Sequence, residues 1–123
     1  MIAIVDDDAG VCRALERILR SNGFMTQTFS SAEAFLQSGH LDAMACLILD
    51  VQMPGKSGLD LQLILGAEGH RIPIIFITGY LDEEIGKLAL KAGAVAILEK
   101  PFDEHVLLDK IKTALIPPQP IGL

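Results

Sequence analysis

Three consecutive aspartates, Asp6-Asp7-Asp8, follow the apolar run Ile2 to Val5, and a further aspartate, Asp50, closes the run Ala45 to Leu49. Thr78 ends the run that begins at Ile74, and Lys100 follows the run Val95 to Glu99. Carboxylates gathered with a hydroxyl and an ammonium can bind a hard cation and transfer a phosphoryl group. One acid attacks phosphorus in line, while the ion and the lysine offset charge on the equatorial oxygens. The attacking acid then carries an acyl phosphate. Taken singly, each residue has a plainer account. One of Asp6, Asp7 and Asp8 can cap a helix, Asp50 can open a turn, Thr78 suits a strand, and Lys100 can be a solvated strand end. They act together only if the elements they close share an edge.

The pattern of the chain supplies such an edge. Ile2 to Val5 reads as a buried strand, and Val11, Leu15, Ile18 and Leu19 then recur at helical spacing up to the stop Asn22-Gly23, with Arg13, Glu16, Arg17 and Arg20 on the wet side. Met25 to Phe29 alternates as a second strand, and Ser30-Ser31-Ala32-Glu33 has the spacing of a capping box for a short helix to about Ser38. After the strand Ala45 to Leu49, turn residues 53–58 lead into a leucine-rich helix inserted among apolar neighbours. Pro73 introduces the strand Ile74 to Thr78, and Asp82 to Ala92 is helical with Glu83 and Lys87 one turn apart. Val95 to Glu99 is a fifth strand, and Asp103 can cap a last helix carrying Leu107, Leu108, Ile111 and Leu115. Residues 116–123 are proline-rich and read as a tail or linker stub after a domain of residues 1–115. Strands alternating with helices in this way specify a doubly wound five-stranded parallel α/β sheet, whose ligands bind at the carboxyl ends of the strands.

At that edge three carboxylates within about 5 Å of one another would repel by about 10 kcal/mol in all at an effective dielectric of ~20. Either the acids take up protons or a cation lies among them. An oxygen-only donor set beside Lys100 favours a hard divalent ion, Mg²⁺.

Composition narrows the remaining classes. The chain has 123 residues, half of them apolar, and 10 Lys+Arg against 16 Asp+Glu give a net charge of −6. One core is expected at this length without disulfide staples, and an acidic balance argues against direct contact with nucleic acid. Cys12 and Cys46 read as buried small hydrophobes of a reducing compartment, and His40, His70 and His105 are too scattered to form a zinc set. No apolar run approaches the ~20 residues of a membrane span, so a cytoplasmic protein is expected.

The motifs resemble those of the receiver domain of two-component response regulators, the FixJ-type transcription regulators most of all. They are Val5-Asp6-Asp7-Asp8, Leu49-Asp50-Val51-Gln52-Met53-Pro54 with Gly58 after it, Ile77-Thr78-Gly79, Lys91-Ala92-Gly93-Ala94 and Glu99-Lys100-Pro101-Phe102, in order from Ile2 to about Leu115. The resemblance implies a flavodoxin-like (βα)5 fold of strand order 2-1-3-4-5 and a signalling domain rather than an enzyme. It implies Asp50 as phosphoacceptor, Asp7 as a direct Mg²⁺ ligand with Asp6 helping partly through water, and the backbone carbonyl of Gln52 as a further ligand. Thr78 would turn inward to the phosphoryl group and Lys100 would grip it, aimed by a cis bond to Pro101. The implied partners are a sensor histidine kinase or phosphotransfer protein and, on phosphorylation, a second copy of the chain. Ile97 departs from the aromatic often found three positions before the lysine, so coupling between site and surface would run through other packing.

Two other readings are weaker. Gly55-Lys56-Ser57 resembles the end of a P-loop, but Asp50 stands where its first glycine belongs. A haloacid-dehalogenase-like phosphatase would use Asp6 as nucleophile, yet Ala9 replaces the usual glycine after the acids. A pseudo-receiver that binds partners without phosphorylation is the remaining alternative.

Overall fold

A computed structural model describes residues 1–115. The expected tail, 116–123, lies outside the described residues. The strands are β1 (Ile2–Val5), β2 (Thr26–Phe29), β3 (Cys46–Asp50), β4 (Ile74–Thr78) and β5 (Ala96–Glu99). The helices are α1 (Ala9–Ser21), α2 (Ala32–Gln37), α3 (Gly58–Ala67), α4 (Glu83–Lys91) and α5 (Glu104–Leu115), with one 3-10 turn at Leu41–Ala43 that the sequence pattern did not reveal. All strand pairs are parallel, in the order β2-β1-β3-β4-β5. The doubly wound sheet is therefore as expected, and its order matches the one implied by the resemblance.

Alternation along the strands sorts the core into two layers. Ala3, Val5, Leu47, Leu49, Ile74 and Phe76 face Phe35 of α2, Leu61 and Leu65 of α3, and Ala89 of α4. Ile2, Ile4, Cys46, Ile48, Ile75 and Ile77 face Leu15 and Leu19 of α1 and Leu107 and Ile111 of α5. Both faces are buried, so β1 is apolar throughout, and β3 and β4 are apolar up to their last residues, Asp50 and Thr78.

The helix ends follow local chemistry. Asp8 caps α1 by accepting the Gly10 and Val11 amides at 2.8 and 3.2 Å, and Gly23 beyond its end has φ +86°. Asp82 and Asp103 cap α4 and α5 in the same way, and Lys87 pairs with Glu83 at 3.3 Å.

Two local expectations are corrected. The capping box read at Ser30 to Glu33 does not form: Ser31 is the cap, accepting the Ala34 amide at 3.0 Å, and Glu33 reaches elsewhere. A complete box stands at α3 instead, between Ser57 and Asp60. Nor is α3 set wholly among apolar neighbours. Leu63 is 65% exposed, whereas Gln62 is buried and donates to the Ala89 carbonyl of α4 at 3.0 Å.

Candidate functional site

The site is set by register. Val5 pairs with Leu49, so Asp6 continues β1 alongside Asp50, and Asp50 itself pairs with Ile77. Thr78 stands one residue further on β4, opposite Glu99, and Lys100 follows β5 with its amide donating to the Thr78 carbonyl at 2.7 Å. The Lys100–Pro101 bond is cis. Four strands thus deliver the candidate residues to one edge, which is the juxtaposition the chemistry requires.

Asp6, Asp7 and Asp50 each offer an oxygen within 4.8 Å of the others. Asp6 and Asp50 are buried, at 1% and 4% exposure, while Asp7 is exposed. The Lys100 ammonium reaches back across β4 to Asp50 Oδ2 at 3.6 Å and, past β3, to Asp6 Oδ2 at 3.1 Å. Asp6 is therefore the main partner of the lysine, a role the sequence did not distinguish from metal binding. Its other oxygen accepts the Asp8 amide at 2.9 Å, and its carbonyl accepts the Cys12 thiol at 3.3 Å.

The electrostatics show an excess of negative charge. Burial first, and the charge of Asp6 second, push the Asp50 carboxyl up to about 6, against the opposing Gln52 amide and Lys100. Burial works against the charge on Lys100, but its bond to Asp6 and the nearby Asp50 outweigh this and hold its pKa above the ordinary value. The donor set of this acidic group is all oxygen, without imidazole or thiolate. Such a set suits a hard divalent cation, whose charge would relieve the strain on Asp50. Burial holds both thiols in the neutral form, raising Cys12 and taking Cys46 to about 12.

Thr78 is fully buried, and its hydroxyl is turned into a local turn. It donates to the Tyr80 carbonyl at 2.8 Å and accepts the Tyr80 amide at 3.2 Å. In this arrangement the hydroxyl is engaged by Tyr80 rather than by Asp50. The next amide, Leu81, is held by Glu99 Oε2 at 3.0 Å, so the loop from β4 to α4 is tied at two points. Gln52 directs its amide to Asp50 Oδ1 at 3.2 Å.

Gly58 matters for a reason its sequence motif did not give. Its amide donates to the Val51 carbonyl at 2.9 Å, and a Cβ there would overlap the Asp50 carbonyl oxygen and come within 3.1 Å of the Phe76 ring. Only glycine lets α3 start against the residue that carries the central carboxylate. Ile97 is partly buried and packs against the core layer that contains Phe76 and Ala89.

Comparisons with known proteins agree with this geometry. A family profile described as the response regulator receiver domain matches residues 2–112. The chain is 50% identical over 115 residues to the response regulator protein TmoT of Ectopseudomonas mendocina, covering 94% of this chain and 52% of that protein. It is 37% identical to the transcriptional regulatory protein FixJ of Azorhizobium caulinodans, covering 93% and 54%. Among solved structures, FixJ-N superposes with a TM-score of 0.83 at 39% identity, over 93% of this chain and 91% of that one. The response regulator StyR gives 0.87 at 45% identity, over 93% and 58%. The chain spans about half the length of the curated relatives it matches.

Proposed function

Since the chain belongs to the response regulator receiver domains, we propose that it accepts a phosphoryl group on Asp50 from the phosphohistidine of a sensor histidine kinase or phosphotransfer protein, and that the product regulates transcription. The observation that carries this reading is the buried Asp50 carboxylate set between the Lys100 ammonium and the acids Asp6 and Asp7. Relatives described as transcriptional regulatory proteins support the output.

Asp7, Asp50 and the Gln52 carbonyl would hold Mg²⁺, with Asp6 helping. When bound, the ion offsets charge on the phosphoryl oxygens and on the acids around them. Asp50 supplies the nucleophile: one Oδ forms the bond to phosphorus as the bond to the histidine nitrogen breaks, and that nitrogen leaves with the electron pair. Lys100, already 3.6 Å from Asp50, meets the incoming charge without a long movement. Lys100, Pro101 and Phe102 line an apolar groove with Val11, Ala14 and Ile18 of α1. This groove beside the site is where the donor would dock.

Thr78 supplies the switch. Two new charge-assisted bonds, from Thr78 and Lys100, would be worth about 3 to 6 kcal/mol. The resting bonds reduce this, because Thr78 gives up its contacts to Tyr80 and Lys100 is already paired. The net drive is an exchange of partners, about 1 to 3 kcal/mol. That shifts a two-state equilibrium by about 5- to 150-fold. The responding surface is the face of α4, β5 and α5, where Leu90 and Val106 stand exposed at 50 and 42%. A phosphorylation-dependent dimer would form there.

Among the described residues no helix is long and apolar enough to cross a membrane. The test is incubation with acetyl phosphate and Mg²⁺, read by intact mass. The wild-type chain gains one phosphoryl group and Asp50→Asn gains none. An inert wild-type chain would favour the pseudo-receiver.

A further inference from the structure

The loop between β3 and α3 carries the Gln52 carbonyl, and its two ends are held differently from its middle. At the near end Val51 donates to the Ile77 carbonyl at 3.0 Å and accepts the Gly58 amide at 2.9 Å. At the far end Ser57 and Asp60 form the capping box of α3. Between them, among the described residues, one hydrogen bond reaches residues 53–56 from another element: the Lys56 amide donates to Glu33 Oε1 of α2 at 3.1 Å. Gly55 turns the chain onto this carboxylate with φ +77°, and a Cβ there would lie 3.1 Å from the same oxygen.

Glu33 stands in the first turn of α2 and could simply be an acid favoured at a helix N-terminus. Its side chain does more, spanning to a backbone amide 23 residues away. Its own amide and then that of Lys56 hold its carboxyl below the ordinary carboxylate range, so it is ionised at neutral pH.

We propose that Glu33 is a positioning residue for metal binding: by clamping Lys56 it fixes the loop that presents the Gln52 carbonyl to the cation. This rests on the reading of that carbonyl as a Mg²⁺ ligand. Mg²⁺ demands near-ideal octahedral geometry, so a ligand on a loosened loop binds it less well. Outer partners that orient ligands typically matter by 10- to 100-fold in affinity, and a single solvent-facing clamp falls at or below that range.

The experiment is a calorimetric Mg²⁺ titration of the 123-residue chain, of Glu33→Ala and of Glu33→Gln, with thermal unfolding of each. Glu33→Ala is expected to bind Mg²⁺ about three- to tenfold more weakly, while Glu33→Gln, which keeps an acceptor oxygen, stays within about twofold of wild type. Equal affinity of Glu33→Ala and wild type overturns the inference alone. So does a Glu33→Gln as weak as Glu33→Ala, because charge rather than the clamp would then be responsible. A wild-type chain that binds no Mg²⁺ overturns this inference and the metal reading together.

Discussion

Asp50 is held in a state that disfavours its own charge, and this has a consequence for stability. Its folded pKa of about 6 lies above the ordinary 3.8, so the folded form holds the proton more tightly than the unfolded chain. The group therefore favours folding below about pH 4, and that contribution is lost as pH rises through about 6, a difference of up to about 3 kcal/mol. In metal-free buffer at pH 7.5, Asp50→Asn should be more stable than wild type by about 1 to 3 kcal/mol, and the gap should narrow toward pH 4.5. Thermal unfolding with a chelator checks this. Mg²⁺ at tenfold its dissociation constant should raise wild-type stability by about 1.4 kcal/mol and reduce the gap. The place of Asp50 at the sheet edge was legible because it closes an apolar strand run, although taken singly it could have been a turn residue. The specific pairing of Asp6 with Lys100, 94 residues apart, was not. Three adjacent acids look alike until the fold shows that Asp6 is buried, Asp7 exposed and Asp8 a helix cap.

Strands and helices were legible wherever period and punctuation agreed. Pro73 before five apolar or β-branched residues marks β4 to the residue, and Asn22-Gly23 marks the end of α1. Failures occurred where the deciding contact is remote. Nothing local distinguishes Ser30 from Ser31 as a cap, and Glu33 is drawn away by a loop distant in sequence. The run of leucines in α3 conceals an exposed Leu63 and a buried Gln62, because Gln62 finds its acceptor on α4. Gly58 ties this scale to the site. Gly58→Ala should push α3 off the end of β3, lowering stability by about 1 to 3 kcal/mol as overpacked sites do. Denaturant melts would show this as a lower midpoint at unchanged slope, and an unchanged midpoint would mean that α3 is not seated on the Asp50 carbonyl.

In the whole molecule, the proposed switch would link the sheet edge to the outer face of α4 and α5 through the loop that Thr78 and Glu99 hold. Thr78→Val keeps the shape of the side chain and removes its hydroxyl. It should still be labelled at Asp50, yet beryllofluoride should move the amide resonances of α4 and β5 far less than in wild type. Full-sized shifts would place the switch elsewhere. The overall architecture was the most legible feature, since five strand–helix units admit essentially one handedness of crossover. The resting position of the Thr78 hydroxyl was the least, because a turn of backbone bonds to Tyr80 competes for the same atom. The central claim is that Asp50, and no other acid of the cluster, takes the phosphoryl group in a Mg²⁺-dependent step. Borohydride reduction after acetyl phosphate treatment converts a phosphorylated aspartate to homoserine, which peptide mapping locates. Homoserine at position 50 alone, formed with Mg²⁺ and absent with a chelator, is the predicted result; homoserine at Asp6, or equal yield without the metal, would contradict it.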